Sequence, residues 1–115
     1  MKFEISDNKL DNIIFKYLDN KNFIIKETDY NYYFIENEGD KYGQIMITKY
    51  DTVCLIYHKL FEEIESFFSI EGPAVGDVLT RYVENTLNIK VSEEQQEKCT
   101  YIVPSNHTRV LKMPN

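Results

Sequence analysis

Cys54 and His58 stand four residues apart in the stretch YDTVCLIYHKLFEEIESFF, residues 50–68. A thiol beside an imidazole is the pairing of a cysteine nucleophile with its general base, because the thiolate attacks and a neighbouring base produces it. Spacing decides whether this pair is available. On a helix, residues four apart lie roughly 6 Å from one another. On a strand they share a face but are separated by about 13 Å, at ~3.3 Å per residue. Residues 52–57, TVCLIY, are rich in β-branched and aromatic types and read as strand. A general base must come within roughly 3 Å of the proton it takes. Cys54 therefore reads as a small core hydrophobe and not as a catalytic residue.

His58 and Glu62 form an i, i+4 pair if a helix starts before His58, and such a pair can hold two sites of a metal. A catalytic zinc needs three protein ligands, and Cys99 and His107 join only if the tail folds back. The reading preferred is a solvated histidine at a helix start. Glu62, Glu63 and Glu65 fall on the polar face of the same segment, where carboxylates sit in water and lack the burial or partner that acid–base work requires. No phosphate-cradling glycine loop, serine elbow or metal-spaced Cys/His set occurs. The sequence thus predicts no catalytic residues, no metal and no cofactor.

The elements that would carry these residues follow from periodicity. Residues 7–19 place Leu10, Ile13, Ile14, Tyr17 and Leu18 on one helical stripe, with Ser6 as N-cap. Four short β-rich segments follow, roughly 22–28, 30–37, 43–49 and 52–58. Their connectors are short, and Asn37-Glu38-Gly39-Asp40 is a turn signal, so the strands form an antiparallel meander. From residue 58 or 59 to 68 the period becomes helical, with Leu60, Phe61, Ile64, Phe67 and Phe68 on one face. Gly72-Pro73 opens a further helix that carries Val75, Val78, Leu79, Tyr82, Val83 and Leu87 and ends near Asn88. Residues 92–98, SEEQQEK, read as an exposed loop or helical turn. Thr100–Val103 is a candidate edge strand stopped by Pro104. The fold class is α+β: a four-stranded antiparallel meander with one N-terminal and two C-terminal helices, in the order α-β-β-β-β-α-α. Residues 1–104 form one domain, and 105–115 read as a loose polar tail.

Bulk properties exclude some functions. The 115 residues suit one domain and a core that needs no staples. Apolar residues make up 43% and charged residues 28%, as in soluble globular proteins. A formal charge of −6 disfavours phosphate backbones and anionic membranes, so neither nucleic acid nor membrane is expected as a partner. Cys54 and Cys99 make no disulfide framework, and MKFEISDNK has no apolar signal core. The expected setting is the cytoplasm, which makes the sequon at Asn106 a chance match.

The strands do not alternate as a sheet with one wet face should. Tyr30, Tyr32 and Phe34 point one way while Tyr33 and Ile35 point the other; in the next strand Ile45 and Ile47 oppose Met46, and in the one after it Val53, Leu55 and Tyr57 oppose Cys54 and Ile56. Three explanations are open: the helices and residues 99–103 cover both faces, the sheet self-associates, or a partner protein covers it. The candidate interaction surface is Tyr30, Tyr32 and Phe34 on the sheet, with Glu62, Glu63 and Glu65 on the acidic helix face.

The stretch from Tyr57 to Val91, with FEEIESFFSI, a helix and then LNIKV, resembles small proteins encoded by tailed phages of marine bacteria. Phe67, Phe68, Ser69 and the apolar positions through Leu87 carry the resemblance, while Gly72-Pro73 departs from it. It implies a phage or phage-derived gene and assigns no activity to any residue. The leading expectation is a non-enzymatic protein that binds another protein or a second copy of itself. The alternative is an acidic inhibitor of a nucleic-acid enzyme, or a client-binding dimer that resembles secretion chaperones and YbjN-like proteins. Clustering of Glu62, Glu63, Glu65, Asp77 and Glu84 on one surface would favour the inhibitor.

Overall fold

The computed structural model describes residues 2–94 and 97–114, with side chains described over 9–93 and 99–114. Helix α1 spans Lys2–Asp19, starting before the expected boundary, so Ser6 lies inside it and does not cap it. Its stripe is narrower than the periodicity implied. Ile14 and Leu18 are fully buried, but Ile13 is exposed. Four antiparallel strands follow: β1 (Ile24–Glu27), β2 (Asn31–Ile35), β3 (Ile45–Thr48) and β4 (Cys54–Tyr57). Each is shorter than its β-rich segment because flanking residues go into turns. Asn37 and Asp40 close one such turn through a backbone bond and an Asp40 carboxylate that accepts from the Asn37 N–H, with Gly39 at φ 95°.

Helix α2 (His58–Phe68) follows β4 directly, and α3 runs Gly72–Leu87 with Pro73 in its first turn. Ser69 and Asn88 end the two helices in the left-handed conformation, and each N–H returns to a carbonyl four residues back. Residues 92–98 are not a helical turn: β5 (Glu93–Glu94) and β6 (Glu97–Lys98) pair antiparallel, while residues 95 and 96 lie outside the described set.

Strand β7 (Thr100–Val103) exists as expected, but it makes the sheet mixed. It joins the edge of β4 in parallel, giving the order β1-β2-β3-β4-β7. Parallel neighbours need a long crossover, and α2 and α3 supply it. The meander expected from sequence is thus four strands of a five-stranded mixed sheet in an α+β fold.

The two apolar sheet faces have separate covers. Phe34, Ile45, Ile47, Cys54 and Ile56 pack on one side against Ile14, Leu18, Leu60, Ile64, Leu79 and Val83 of the helices. On the other side Tyr33, Ile35, Met46 and Val103 pack against Leu111, with Leu55, Tyr57 and Met113 around them. Leu111 belongs to a 3-10 helix, Ser105–Leu111, in the segment that reads as a loose tail. Its backbone is tied to the loop before β3: Gly43 N–H donates to Leu111 C=O and Met113 N–H donates to Lys41 C=O. The tail expectation is corrected by one apolar side chain. Leu111, with Val110 before it and Met113 two residues on, gave no periodic signal, yet it seals much of the second face.

Candidate functional site

Cys54 and His58 lie at the two ends of the β4–α2 junction. Cys54 is the first residue of β4 and is wholly buried in the helix-side core. Burial pushes its thiol up to about 12, and the charge of Glu84 adds to this. A thiol so placed stays protonated at neutral pH and is a poor nucleophile. His58 opens α2, beyond the strand's far end, about 13 Å along an extended chain at ~3.3 Å per residue. Its ring meets Tyr57 edge-on at 4.8 Å, and its Nδ1 is buried without a hydrogen-bond partner among the described residues. Cys99 joins Cys54 only through the backbone: Cys54 N–H donates to Cys99 C=O at 2.9 Å, and both thiols are free. Among the described residues, no three His, Cys, Asp or Glu side chains gather as metal ligands would.

The acidic helix face is divided. Glu62 is exposed. Glu63 is not a free surface charge: Lys21 Nζ lies 2.7 Å from its carboxylate and the Tyr17 hydroxyl donates to it. Lys21 also reaches Glu36 at 3.7 Å, so one lysine joins the turn after α1 to α2 and to the loop after β2. Glu84 accepts a hydrogen bond from Val91 N–H at 2.9 Å. Glu63 and Glu84 are thus engaged in holding the fold, and the five acids do not make one free acidic surface.

This network gives stability a pH signature at both extremes. Partial burial pushes the Glu63 carboxyl up, but hydrogen bonds from Lys21 and Tyr17, with the Lys21 charge, outweigh it and lower the pKa. The hydrogen bond to Glu63, then burial and the Glu63 charge, push Tyr17 up to about 12. A lowered acid contributes stability above its ordinary range and loses it as pH falls through the folded-state value. A raised phenol contributes below its ordinary 10.0 and loses it as pH rises toward about 12. Glu63→Gln is expected to flatten both limbs of a melting-temperature profile and to cost no more than about 1 kcal/mol near neutrality, since the pair is solvent-screened. Limbs of unchanged slope would show that the network carries no titration linkage.

The three aromatic surface candidates also divide. Phe34 is 0% exposed and touches Phe23 and Tyr82 inside the core, so it is corrected from surface to core. Tyr32 is half-buried beneath Lys49, whose Nζ lies 5.2 Å from the ring centre and pairs with Glu27. Tyr30, between β1 and β2, is exposed and meets the exposed Tyr50 of the β3–β4 loop at 6.1 Å. Near them Thr52 holds φ 47°, a strained value for a β-branched residue, and its hydroxyl bonds Ser92. The tyrosine pair is a small patch at one end of the sheet and does not continue across its face.

Two features escaped sequence reasoning. A cleft of about 540 Å³ lies between the 36–44 loop and the 3-10 helix, lined by Glu36, Asp40, Lys41, Tyr57 and Thr108 among others. It forms only because the C-terminal segment packs back, so no local signal marks it. The second is the outer edge of β7. Tyr101 is 53% and Ile102 36% exposed there. Its signal was present: TYIV holds no charge and no proline, the two side-chain guards that exposed edges commonly carry.

Compared with protein-family models, curated proteins and solved structures, the chain matches none. No helix among the described residues is long and apolar enough to cross a membrane.

Proposed function

We propose that this chain is a non-enzymatic binding protein of the cytoplasm, which works by contact at the open edge of β7. The observation that carries the reading is that edge: a strand last in its sheet, uncharged, with Tyr101 and Ile102 turned to solvent. An open edge presents backbone donors and acceptors that another strand can satisfy, and tyrosine adds apolar area at low entropic cost. The sheet faces offer less, because α1–α3 pack on one and the 3-10 helix, through Leu111, packs on the other. A phage-encoded origin belongs to the reading on the resemblance of residues 57–91 alone.

Tyr101→Lys tests it, since a charge on the edge blocks strand addition without entering the core. Cross-linking with mass spectrometry is expected to place a protein neighbour, or a second copy, on residues 100–103 of the wild type. The variant should lose that cross-link and keep its melting temperature. Cross-links that fall instead on Tyr30 and Tyr50, or that survive the variant, reject the β7 edge as the site.

A further inference from the structure

The register of β7 identifies its partner. Cys54 N–H donates to Cys99 C=O, and Cys54 lies opposite Thr100 in the parallel ladder. In such a ladder one residue of each facing pair uses both its N–H and its C=O on the neighbouring strand, while the other points both away. Cys54 and Ile56 are the residues that bond inward. The alternate residue Tyr57 turns its N–H the other way, onto Gln44 of the β3 side. Thr100 and Ile102 therefore aim their N–H and C=O groups away from β4. Among the described residues, no backbone bond from outside the ladder reaches them.

We infer that the open edge of β7 pairs antiparallel with β7 of a second copy, with Tyr101 at the twofold axis and Thr100 opposite the copy's Ile102. This rests on the reading of β7 as the binding edge and names its occupant. A twofold axis normal to a sheet keeps its two faces continuous and places a strand residue opposite its own copy. Centred on Tyr101, it sets Thr100 against Ile102 twice. These are the two residues whose backbone groups point outward, so about four hydrogen bonds form, two for each closely spaced pair. A slip that centres Ile102 sets Thr100 against Pro104, which has no N–H to give, so the proline fixes the register.

Charge favours self-pairing at this edge over the other one. In β1, IIKE, the same symmetry would face Lys26 or Glu27 with its own copy or with an isoleucine, and both residues are already ion-paired to Glu38 and Lys49. In β7 no charge faces another. The pairing joins two five-stranded sheets into one of ten and brings the two Tyr101 rings together beside the Val103–Leu111 cluster. Each copy carries −6, so long-range repulsion opposes assembly and salt promotes it. A basic partner protein at the same edge would show the opposite salt dependence.

Sedimentation equilibrium of the purified chain decides the matter, run with hydrogen exchange of the Thr100 and Ile102 amides. A reversible monomer–dimer equilibrium is expected, shifted toward dimer between about 0.05 M and about 0.5 M salt as screening shortens. Ile102→Pro removes an outward N–H and no inward ladder bond, so it is expected to weaken dimerisation at least about tenfold in a folded chain. Tyr101→Lys, which sets two like charges at the axis, should act in the same direction and keeps the test decisive if the proline variant does not fold. A dimer indifferent to both variants overturns the proposal. So does a monomer at every concentration. If that monomer exchanges both amides rapidly, the edge is open and only the second copy is rejected. If it exchanges them slowly, the edge is covered within one copy and the binding reading falls too.

Discussion

Leu111→Ala is expected to lower the free energy of unfolding by about 3 kcal/mol, within the range measured for leucine truncation in closed cores. Leu111 is 0% exposed and packs on Tyr33, Ile35, Met46 and Val103. Truncation removes apolar contact and leaves a space that the sheet, a rigid pleated surface, cannot collapse to fill. The neighbouring Val110 is exposed, so Val110→Ala should stay within about 0.5 kcal/mol. Urea titration of the three proteins checks this. If the two variants melt alike, the 3-10 helix does not seal the sheet, and the second apolar face becomes available as an interface. The variant should also bind a hydrophobic dye at low urea, since opening the segment uncovers Tyr33 and Met46.

Phe34→Ala is the larger change, with an expected loss of about 4 kcal/mol. Phe34 pairs across the sheet with Ile25 and Ile45 and meets Phe23 edge-on at 6.0 Å and Tyr82 at 6.2 Å. It therefore loses area burial and aromatic geometry together. Tyr30→Ala, four residues earlier, should change stability by no more than about 0.5 kcal/mol because the residue is 66% exposed. The pair of measurements separates core from surface within what reads as one aromatic stripe. Equal costs at both positions would show that Tyr30 packs more closely than its exposure indicates.

Strand and helix existence was legible because the code for it is local. Runs of β-branched and aromatic residues gave all four meander strands, and the i, i+3, i+4 spacing gave the helices, with the second ending at residue 68 and the third near Asn88. Boundaries moved where capping and turn bonds, not periodicity, decide them. Spacing also read the residues from Cys54 to Tyr57 as strand, and a strand there sets thiol and imidazole about 13 Å apart along the chain.

The candidate site was less legible. Phe34, Tyr32 and Tyr30 share a parity, and parity alone cannot say which of them the helices reach. Glu63 looks like Glu62 in a sequence, yet it meets a tyrosine of α1 and a lysine just past its end, 46 residues away in the case of Tyr17. Sequence by itself determined the three helices, the antiparallel meander and the presence of two apolar faces, because each depends on neighbours along the chain. Tertiary structure decided what covers those faces, that β7 pairs in parallel with β4, and which backbone groups remain outward. Those outcomes depend on where distant segments land, and Leu111, set between Val110 and Met113 in a short mixed stretch, carries no period by which to announce it.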